Sequence, residues 1–510
     1  MRILLIAFIL LLDAAPAARA VETAALERGT AITDPATLRE LDGGRFRLDR
    51  MLLPERSADT PLSNIELFAL RSMTPVRQAI DGEFERYVIR HKASLPKETV
   101  GVGEAFDFQL FDRALLYSTQ TRFVLAGIVN RMDRAYVAAA DCGEVRLIYR
   151  LTRLNIPDIG DNASSQRLPM TLNLVLKAKA DHKVDRNGPG ITCSEIANRW
   201  LTSGVFLNEK LQAKDGPLDL LGHENIDRIE TNLQIAHAPK SAVRDFRTDY
   251  LLKVFRYNRQ ARVFAEAPME NQIDRARILA DDSLKREFRA WLLDPVNLAE
   301  FDRGTVLIPE KFLANGAVAS TPAGFDPSDL QPEFGLVQGE GAAFSEAEIV
   351  AALRKAAASG VKLQNIRSLG GFERRLNDVT CSGCHQTRGI GGFHFPGVDW
   401  MAAKPSNTTV VPASPHFFGD QVRRRDILTA LRDGRAPDYS RGFASRPQLR
   451  GSTELAGSGY FDGWGAHCYV QGKSAANNDG SFRDWTCAEG LACQAAGKSS
   501  RMGMCFVKSR

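Results

Sequence analysis

Residues 121–130 read TRFVLAGIVN and residues 143–153 read GEVRLIYRLTR. Both runs are short and rich in β-branched and aromatic residues, which is typical of strands. Clusters of turn-forming residues separate them from similar runs: FDFQLF (106–111), MTLNLVLKAK (170–179), RIETNLQIAH (228–237) and YLLKVFRYN (250–258). The pattern predicts a mostly antiparallel β-rich domain over residues 100–275, with one helix at 194–202.

Helical signals flank this domain on both sides. Residues 21–99 are predicted to be an irregular and helical segment, in which Pro75 stands at the favoured first position of a helix. Residues 276–339 are predicted to be helical and to end in a linker, because residues 315–335 are dense in Gly, Pro, Ala and Ser. The fold class is therefore α+β and multidomain.

The composition indicates a globular chain with a core and no nucleic-acid partner. Its 510 residues suffice for two or three domains, and 44% hydrophobic with 25% charged residues is a common balance for folded proteins. The net charge of +5 is small for this length and does not indicate binding to nucleic acid. The arginines at 423–425 fall within a helical pattern and are predicted to form a solvated face.

The first 20 residues are predicted to be a signal peptide. Arg2 precedes an apolar run at 3–12, and an Ala-rich segment leads to a cleavage site after Ala20. The apolar run is too short to cross a bilayer, and no later segment is long and apolar enough, so no transmembrane segment is expected after cleavage. We therefore expect a bacterial protein that is periplasmic or secreted.

An exported chain uses cysteines mainly for disulfide bonds. Cys142 and Cys193 are predicted to form a disulfide within the β-rich domain.

Residues 455–510 are predicted to form a small disulfide-stapled module, because so short a polar segment cannot bury a sufficient core by itself. Its four cysteines allow three pairings, of which Cys468–Cys493 with Cys487–Cys505 is favoured. Binding an envelope ligand and acting as a structural cap are both open roles for this module.

Residues 378–399 read DVTCSGCHQTRGIGGFHFPGVD, and here Cys381, Cys384 and His385 fit the haem-attachment pattern C-x-x-C-H. Two thiols at this spacing can add to the two vinyl groups of haem, and the adjacent imidazole can bind the iron. A zinc site would need a fourth ligand and reduced thiolates. A redox or disulfide pair is the other alternative, although a thioredoxin-like pair would follow a strand rather than a helical, Arg-rich segment.

This motif resembles that of the c-type cytochromes. The resemblance covers residues 381–385 and, loosely, a helix-motif-loop-helix order over residues 340–450, whereas the rest of the chain resembles no characterised family. It implies a mainly α, cytochrome c-like haem domain at 340–450 that carries one covalent haem c. Cys381 and Cys384 would then be the thioether links and His385 the proximal iron ligand.

The sixth ligand of the iron stays open at this point. His394, Met401 and His416 are candidates, and so is an iron without a sixth protein ligand. Arg388 is a candidate to contact a haem propionate.

Three functions compete, and the sixth ligand distinguishes the first two. A mono-haem electron carrier with a redox partner protein would have His or Met there. A haem-dependent peroxidase or oxygenase would keep that position open. A cell-envelope binding protein with a structural or sensory haem is the third. G-x-S-x-G, H-E-x-x-H and P-loop motifs do not occur in the chain.

Overall fold

The computed structural model describes residues 29–154, 167–179, 190–202, 208–238, 247–321, 336–337, 342–381, 415–443, 467–469, 486–487, 489–495 and 502–507. The predicted signal peptide at 1–20 lies outside these residues. Within them, no helix combines the length and the apolar character that crossing a membrane requires.

The described helices are spread along the chain. Their bounds are α1 Pro35–Gly43, α2 Leu48–Leu52, α3 Asn64–Ala69, α4 Thr74–Ser94, α5 Arg113–Leu116, α6 Cys193–Thr202, α7 Asn208–Gln212, α8 Arg275–Ala280, α9 Asp282–Leu292, α10 Pro295–Arg303, α11 Glu346–Ala358, α12 Leu369–Asp378 and α13 Pro415–Arg432. Short 3-10 helices cover Met132–Arg134, Ala139–Asp141, His223–Asn225 and Glu310–Phe312.

A large sheet forms the centre of the described fold. Its strands are β1 Ala31–Ile32, β2 Val100–Gly101, β3 Phe108–Leu110, β4 Thr121–Arg131, β5 Glu144–Arg153, β6 Arg167–Lys177, β7 Ile226–Ala238, β8 Arg247–Asn258, β9 Val263–Glu266 and β10 Gly316–Thr321. They pair in the order β1-β4-β5-β6-β7-β8, with β9 and β10 on β8 and with β3 and β2 continuing from β7. Every pairing is antiparallel except β2 with β3, so the predicted antiparallel β-rich region is confirmed.

Two strands of this sheet come from outside residues 100–275. Strand β1 pairs with β4, and β10 pairs with residues 248–253 of β8. The segment predicted as a linker at 315–335 therefore begins with a strand. Its Gly, Ala and Ser content did not indicate one, but pairing at a sheet edge uses backbone groups that every non-proline residue carries.

One face of the sheet packs against the N-terminal helices. Strand residues alternate in direction, so Val145, Leu147 and Tyr149 of β5 all enter this core. The phenol of Tyr149 donates a hydrogen bond to the carbonyl of Phe46 at 2.7 Å. Residues 29–99 and the β-rich region consequently share one core.

A second core lies among helices α8–α12. Its centre is a group of aromatic rings in contact: Phe288, Phe301, Phe312, Phe344 and Phe372. Helix α11 begins at the predicted capping box, in which Ser345 and Glu348 bond each other's backbone N–H groups.

The described part of residues 340–450 is divided between the two cores. Helices α11 and α12 belong to the second core, whereas Leu428 of α13 is buried in the first. The described residues therefore do not show a self-contained, cytochrome c-like helical domain over 340–450. The helical periodicity was correct, but it does not reveal which core each helix joins.

The predicted disulfide bonds are present. Cys142 pairs with Cys193, Cys468 with Cys493, and Cys487 with Cys505. The last two staple a small sheet of β11 His467–Tyr469, β12 Leu491–Ala495 and β13 Met502–Val507, in the order β11-β13-β12. These are the pairings favoured from the sequence.

Replacing both Cys142 and Cys193 by Ala should lower the free energy of unfolding by about 4 kcal/mol, because this disulfide closes a long loop in the unfolded chain. The bridged cysteines are 51 residues apart. Urea unfolding monitored by circular dichroism measures the change. Removing Cys468–Cys493 in the same way is the control and should leave the main transition in place. An unchanged midpoint for the first variant would contradict the prediction.

Candidate functional site

A cavity of about 300 Å³ lies between the sheet and the end of α12. Its wall on the sheet side is mostly charged and includes Arg134, Glu144, Arg146, Arg228, Glu230 and Glu270. The opposite wall includes Asp378, Val379, Thr380, Cys381 and Arg441. The cavity is thus formed by segments that are far apart in the sequence.

The alternating direction of side chains along β5 and β7 determines which residues form the charged wall of the cavity. Neighbouring residues of a strand point to opposite faces, so Glu144 and Arg146 lie opposite Val145, which enters the first core. In β7, Arg228 and Glu230 flank the core residue Ile229 in the same way. The face of the sheet that turns away from the N-terminal helices therefore carries the cavity.

Cys381, the first cysteine of the motif, lies in the cavity wall with 8% of its surface exposed. Its Sγ donates a hydrogen bond to the carbonyl of Glu270 at 3.5 Å. The side chain also packs in a small cluster of buried apolar residues: Leu252, Val254, Ala267 and Met269. This cluster is separate from both large cores.

Helix α12 holds Cys381 at this place. Ser368 caps the helix by accepting a hydrogen bond from the N–H of Gly371. The guanidinium of Arg375 is buried and donates to the carbonyl of Asp302 at 2.8 Å and to that of Arg441 at 2.7 Å. The C-terminal part of α12 is thereby attached to two other segments, at Asp302 and at Arg441.

The other predicted haem-site residues follow Cys381 in the chain. Cys384, His385, Arg388, His394 and Met401 lie outside the described residues. His416 belongs to α13, but its side chain is likewise outside the described part. Of the predicted haem contacts, the structure thus places Cys381.

A buried ion cluster borders the cavity through Arg131 and Arg441. The carboxylate of Asp133 is fully buried and forms ion pairs with Arg131 at 2.8 Å, Arg423 at 2.8 Å and Arg441 at 2.6 Å. Asp420 adds pairs to Arg423 and Arg424. We call these six residues the Asp133 cluster.

The arginines of this cluster overturn one prediction. Arg423 and Arg424 were expected on a solvated face, but Arg424 is only 2% exposed. Asp133, an acidic partner of Arg423, is 290 residues away in the sequence. Helical periodicity reports only the local pattern, so it could not reveal this partner.

The pKa of Asp133 lies well below its usual range. Burial, the largest effect, raises this pKa, but the combined attraction of the surrounding arginines outweighs burial. Glu144 shows the same balance, with its pKa held well below normal by Arg228, Arg134 and Arg146 despite burial. Both carboxyls are therefore ionised at neutral pH.

Two polar side chains in the last turn of α12 are not fully satisfied by the described residues. Asn377 is completely buried, and among the described residues neither its amide nitrogen nor its amide oxygen has a hydrogen-bond partner. Oδ2 of Asp378 also has none, although Arg374 lies 3.9 Å away. Burial raises the pKa of Asp378, and Arg374 and Arg375 offset it only in part. Buried groups without partners are uncommon and can mark a site that a ligand completes.

Sequence reasoning missed the cavity wall on the sheet side. Charged residues at alternate positions within apolar strands were a usable signal, since Arg146 lies in VRLIY and Glu230 in RIET. Such residues show that one face of a strand is polar, but not that it is buried.

Within the described part of the chain, Cys468, Cys487 and Cys493 are the group close enough to hold a metal ion. All three sulfurs are in disulfide bonds and so are not thiolate ligands. The cavity beside Cys381 therefore remains the candidate site.

Compared with known proteins, the chain matches no family model, no curated protein and no solved structure.

Replacing Asp133 by Asn should destabilise the protein by about 3–5 kcal/mol at neutral pH, because buried arginines would lose their counter-charge. Urea unfolding measures this. The pKa of Asp133 is lowered in the folded state, so its contribution is present above the unfolded pKa of about 4 and is lost as the pH falls below it. The difference between the two proteins should shrink accordingly in acid.

Asp59→Asn is the matched control. Asp59 forms an ion pair with Arg50, but its side chain is fully exposed, and exposed pairs contribute about 1 kcal/mol or less. Equal effects of the two substitutions at neutral pH would contradict the role of the Asp133 cluster.

Proposed function

We propose that this protein is an exported mono-haem c-type cytochrome that transfers electrons through one haem c bound to Cys381, Cys384 and His385. The observation that carries the proposal is the position of Cys381. The first thiol of a C-x-x-C-H motif lines a cavity, where a group attached to it would be enclosed by protein.

The residues around Cys381 suit a haem in two respects. Val254, Met269 and Val379 provide an apolar part of the wall against which a porphyrin could pack. Arg134 and Arg441 also line the cavity; each is paired with a carboxylate, Glu270 or Asp133, and each has an Nε–H without a hydrogen bond among the described residues, to which a haem propionate could bind. The residues that follow Cys381, which would complete the site, lie outside the described part.

Haem bound here would supply one-electron chemistry at its iron. The chain's own residues would exclude water and hold fixed charges around the site. Those charges are already paired in the Asp133 cluster and around Glu144, so little reorientation is needed when an electron arrives. This supports a carrier, which would pass electrons to a redox partner protein.

The three disulfide bonds support an oxidising compartment. The proposed signal peptide at residues 1–20 would direct the chain to the periplasm or outside the cell. A covalent haem would be attached on the same side of the membrane.

The proposal is tested by expressing the full chain in a host that attaches haem c. After denaturing electrophoresis, haem staining should mark the protein, and replacing Cys381 and Cys384 together by Ala should abolish the stain. Replacing Cys468 and Cys493 by Ala is the control and should preserve it. A wild-type protein without covalent haem, or a double variant that keeps it, would overturn the proposal.

Optical spectra of the purified, folded protein test the carrier role. A low-spin haem that does not bind carbon monoxide when reduced is expected, because both axial positions would be filled by protein. A high-spin haem that binds carbon monoxide would contradict the carrier and favour the peroxidase or oxygenase instead.

A further inference from the structure

We infer that the side of the cavity at Arg441 binds a small carboxylate. The inference goes beyond the proposed function and does not rest on a haem. It follows from the charges of the Asp133 cluster, which has more arginines than carboxylates, and from the place of one of these arginines in the cavity wall.

The Asp133 cluster carries a surplus of positive charge. Four of its residues are arginines, and two, Asp133 and Asp420, are aspartates. Asp438, a further acidic residue that Arg423 attracts, is exposed to solvent. A buried charge without a counter-charge is unfavourable, so the surplus favours an anion beside the cluster.

The pKa values of the arginines show where the counter-charge is missing. Burial lowers the pKa of Arg131 and Arg423, but attraction to Asp133 and other carboxylates outweighs burial and leaves both pKa values raised. For Arg424 and Arg441 burial prevails, with help from neighbouring arginines, and lowers the pKa of Arg424 to about 10 and that of Arg441 as well. The carboxylates of the cluster therefore balance these last two arginines least.

Of these two arginines, Arg441 lies in the cavity wall. Its Nη2 donates to Asp133 at 2.6 Å, whereas its Nε is buried and has no hydrogen bond among the described residues. The N–H groups of a guanidinium form a fork that matches a planar carboxylate. A carboxylate in the cavity would give this N–H an acceptor and would bring a further negative charge to the cluster.

The backbone holds Arg441 in place at the cavity. Its N–H donates to the carbonyl of Arg303 at 2.7 Å, and its carbonyl accepts from Arg375 of α12 at 2.7 Å. Gly304 also lines the cavity, and a Cβ added to it would lie 3.4 Å from the Cβ of Arg441. The guanidinium is thus pre-positioned, as a binding site requires.

The size of the cavity limits the ligand. A volume of about 300 Å³ is at the lower end for small-molecule sites, so the ligand has few heavy atoms. A single guanidinium edge suits a carboxylate better than a phosphate, which needs several donors around it.

The test is titration calorimetry of the full chain, prepared in a host that does not attach haem c. Acetate and succinate are the probes, with chloride at equal ionic strength as the comparison. We expect saturable binding of a carboxylate and none of chloride. Arg441→Gln should weaken this binding about tenfold or more, because the ligand loses charge-assisted hydrogen bonds.

Arg256→Gln is the matched control. Arg256 also lines the cavity, but it pairs with Glu310 and its side chain is 56% exposed, so this variant should bind like the wild type. A wild-type protein that binds neither acetate nor succinate, or that binds inorganic phosphate more tightly than both, would overturn the inference. Equal weakening by the two substitutions would do the same.

Urea unfolding separates ligand binding from a structural role of Arg441. Succinate should stabilise the wild type against urea, because a ligand that binds the folded state shifts the equilibrium towards it. Arg441→Gln should lose this stabilisation, and Arg441→Lys, which keeps the charge without the fork, should show an intermediate effect. Equal stabilisation of the wild type and Arg441→Lys would contradict binding by the guanidinium.

The proposed haem is the other possible source of a carboxylate, through its propionates. The haem-loaded protein should bind the probes as the haem-free protein does, since Arg134 offers a propionate its own Nε–H. Loss of binding in the haem-loaded protein would assign Arg441 to a propionate and overturn the inference. Failure of the proposed function is recognised separately, because a chain without covalent haem on the denaturing gel can still bind the probes.

Discussion

The ion pairs of Asp133 join the parts of the chain that enclose the cavity. Its carboxylate is paired with Arg131 at the end of β4, with Arg423 in α13 and with Arg441 beyond that helix. The carbonyl of Arg441 accepts a hydrogen bond from Arg375 of α12, the helix that leads to Cys381. A continuous path of polar contacts therefore runs from the sheet to the motif.

This arrangement constrains the fold because buried charges are costly unless each is paired. The described residues of the cavity wall include seven cationic and six acidic ones, so their charges nearly balance. Moving α12 or α13 away from the sheet would leave arginines and carboxylates without partners. The position of Cys381 thus depends on electrostatic pairing as well as on apolar packing.

Much of the local structure was predictable, because local patterns determine it. Strands β4 to β8 follow their apolar and β-branched runs, and the capping box at Ser345 begins α11 as expected. The disulfide pairs also agreed with the sequence. What periodicity could not supply was contact between distant segments, as the pairing of β10 with β8 and the burial of Arg424 show.

For the candidate site, the sequence predicted the chemistry of the motif but not the residues of the surrounding wall. The spacing of Cys381, Cys384 and His385 indicated haem attachment, but nothing in residues 340–450 indicated that the wall would come from β5, β7 and the segment around Met269. Those residues are brought together by strand alternation and by long-range ion pairs. A site that is formed by several distant segments cannot be predicted from the sequence of any one of them.

The most direct test is to locate the iron. Crystals of the protein matured in a host that attaches haem c should give an anomalous difference map recorded at the iron absorption edge. The account predicts a single iron peak in the cavity, beside Cys381. An iron peak away from this cavity, or the absence of iron in the crystal, would contradict it.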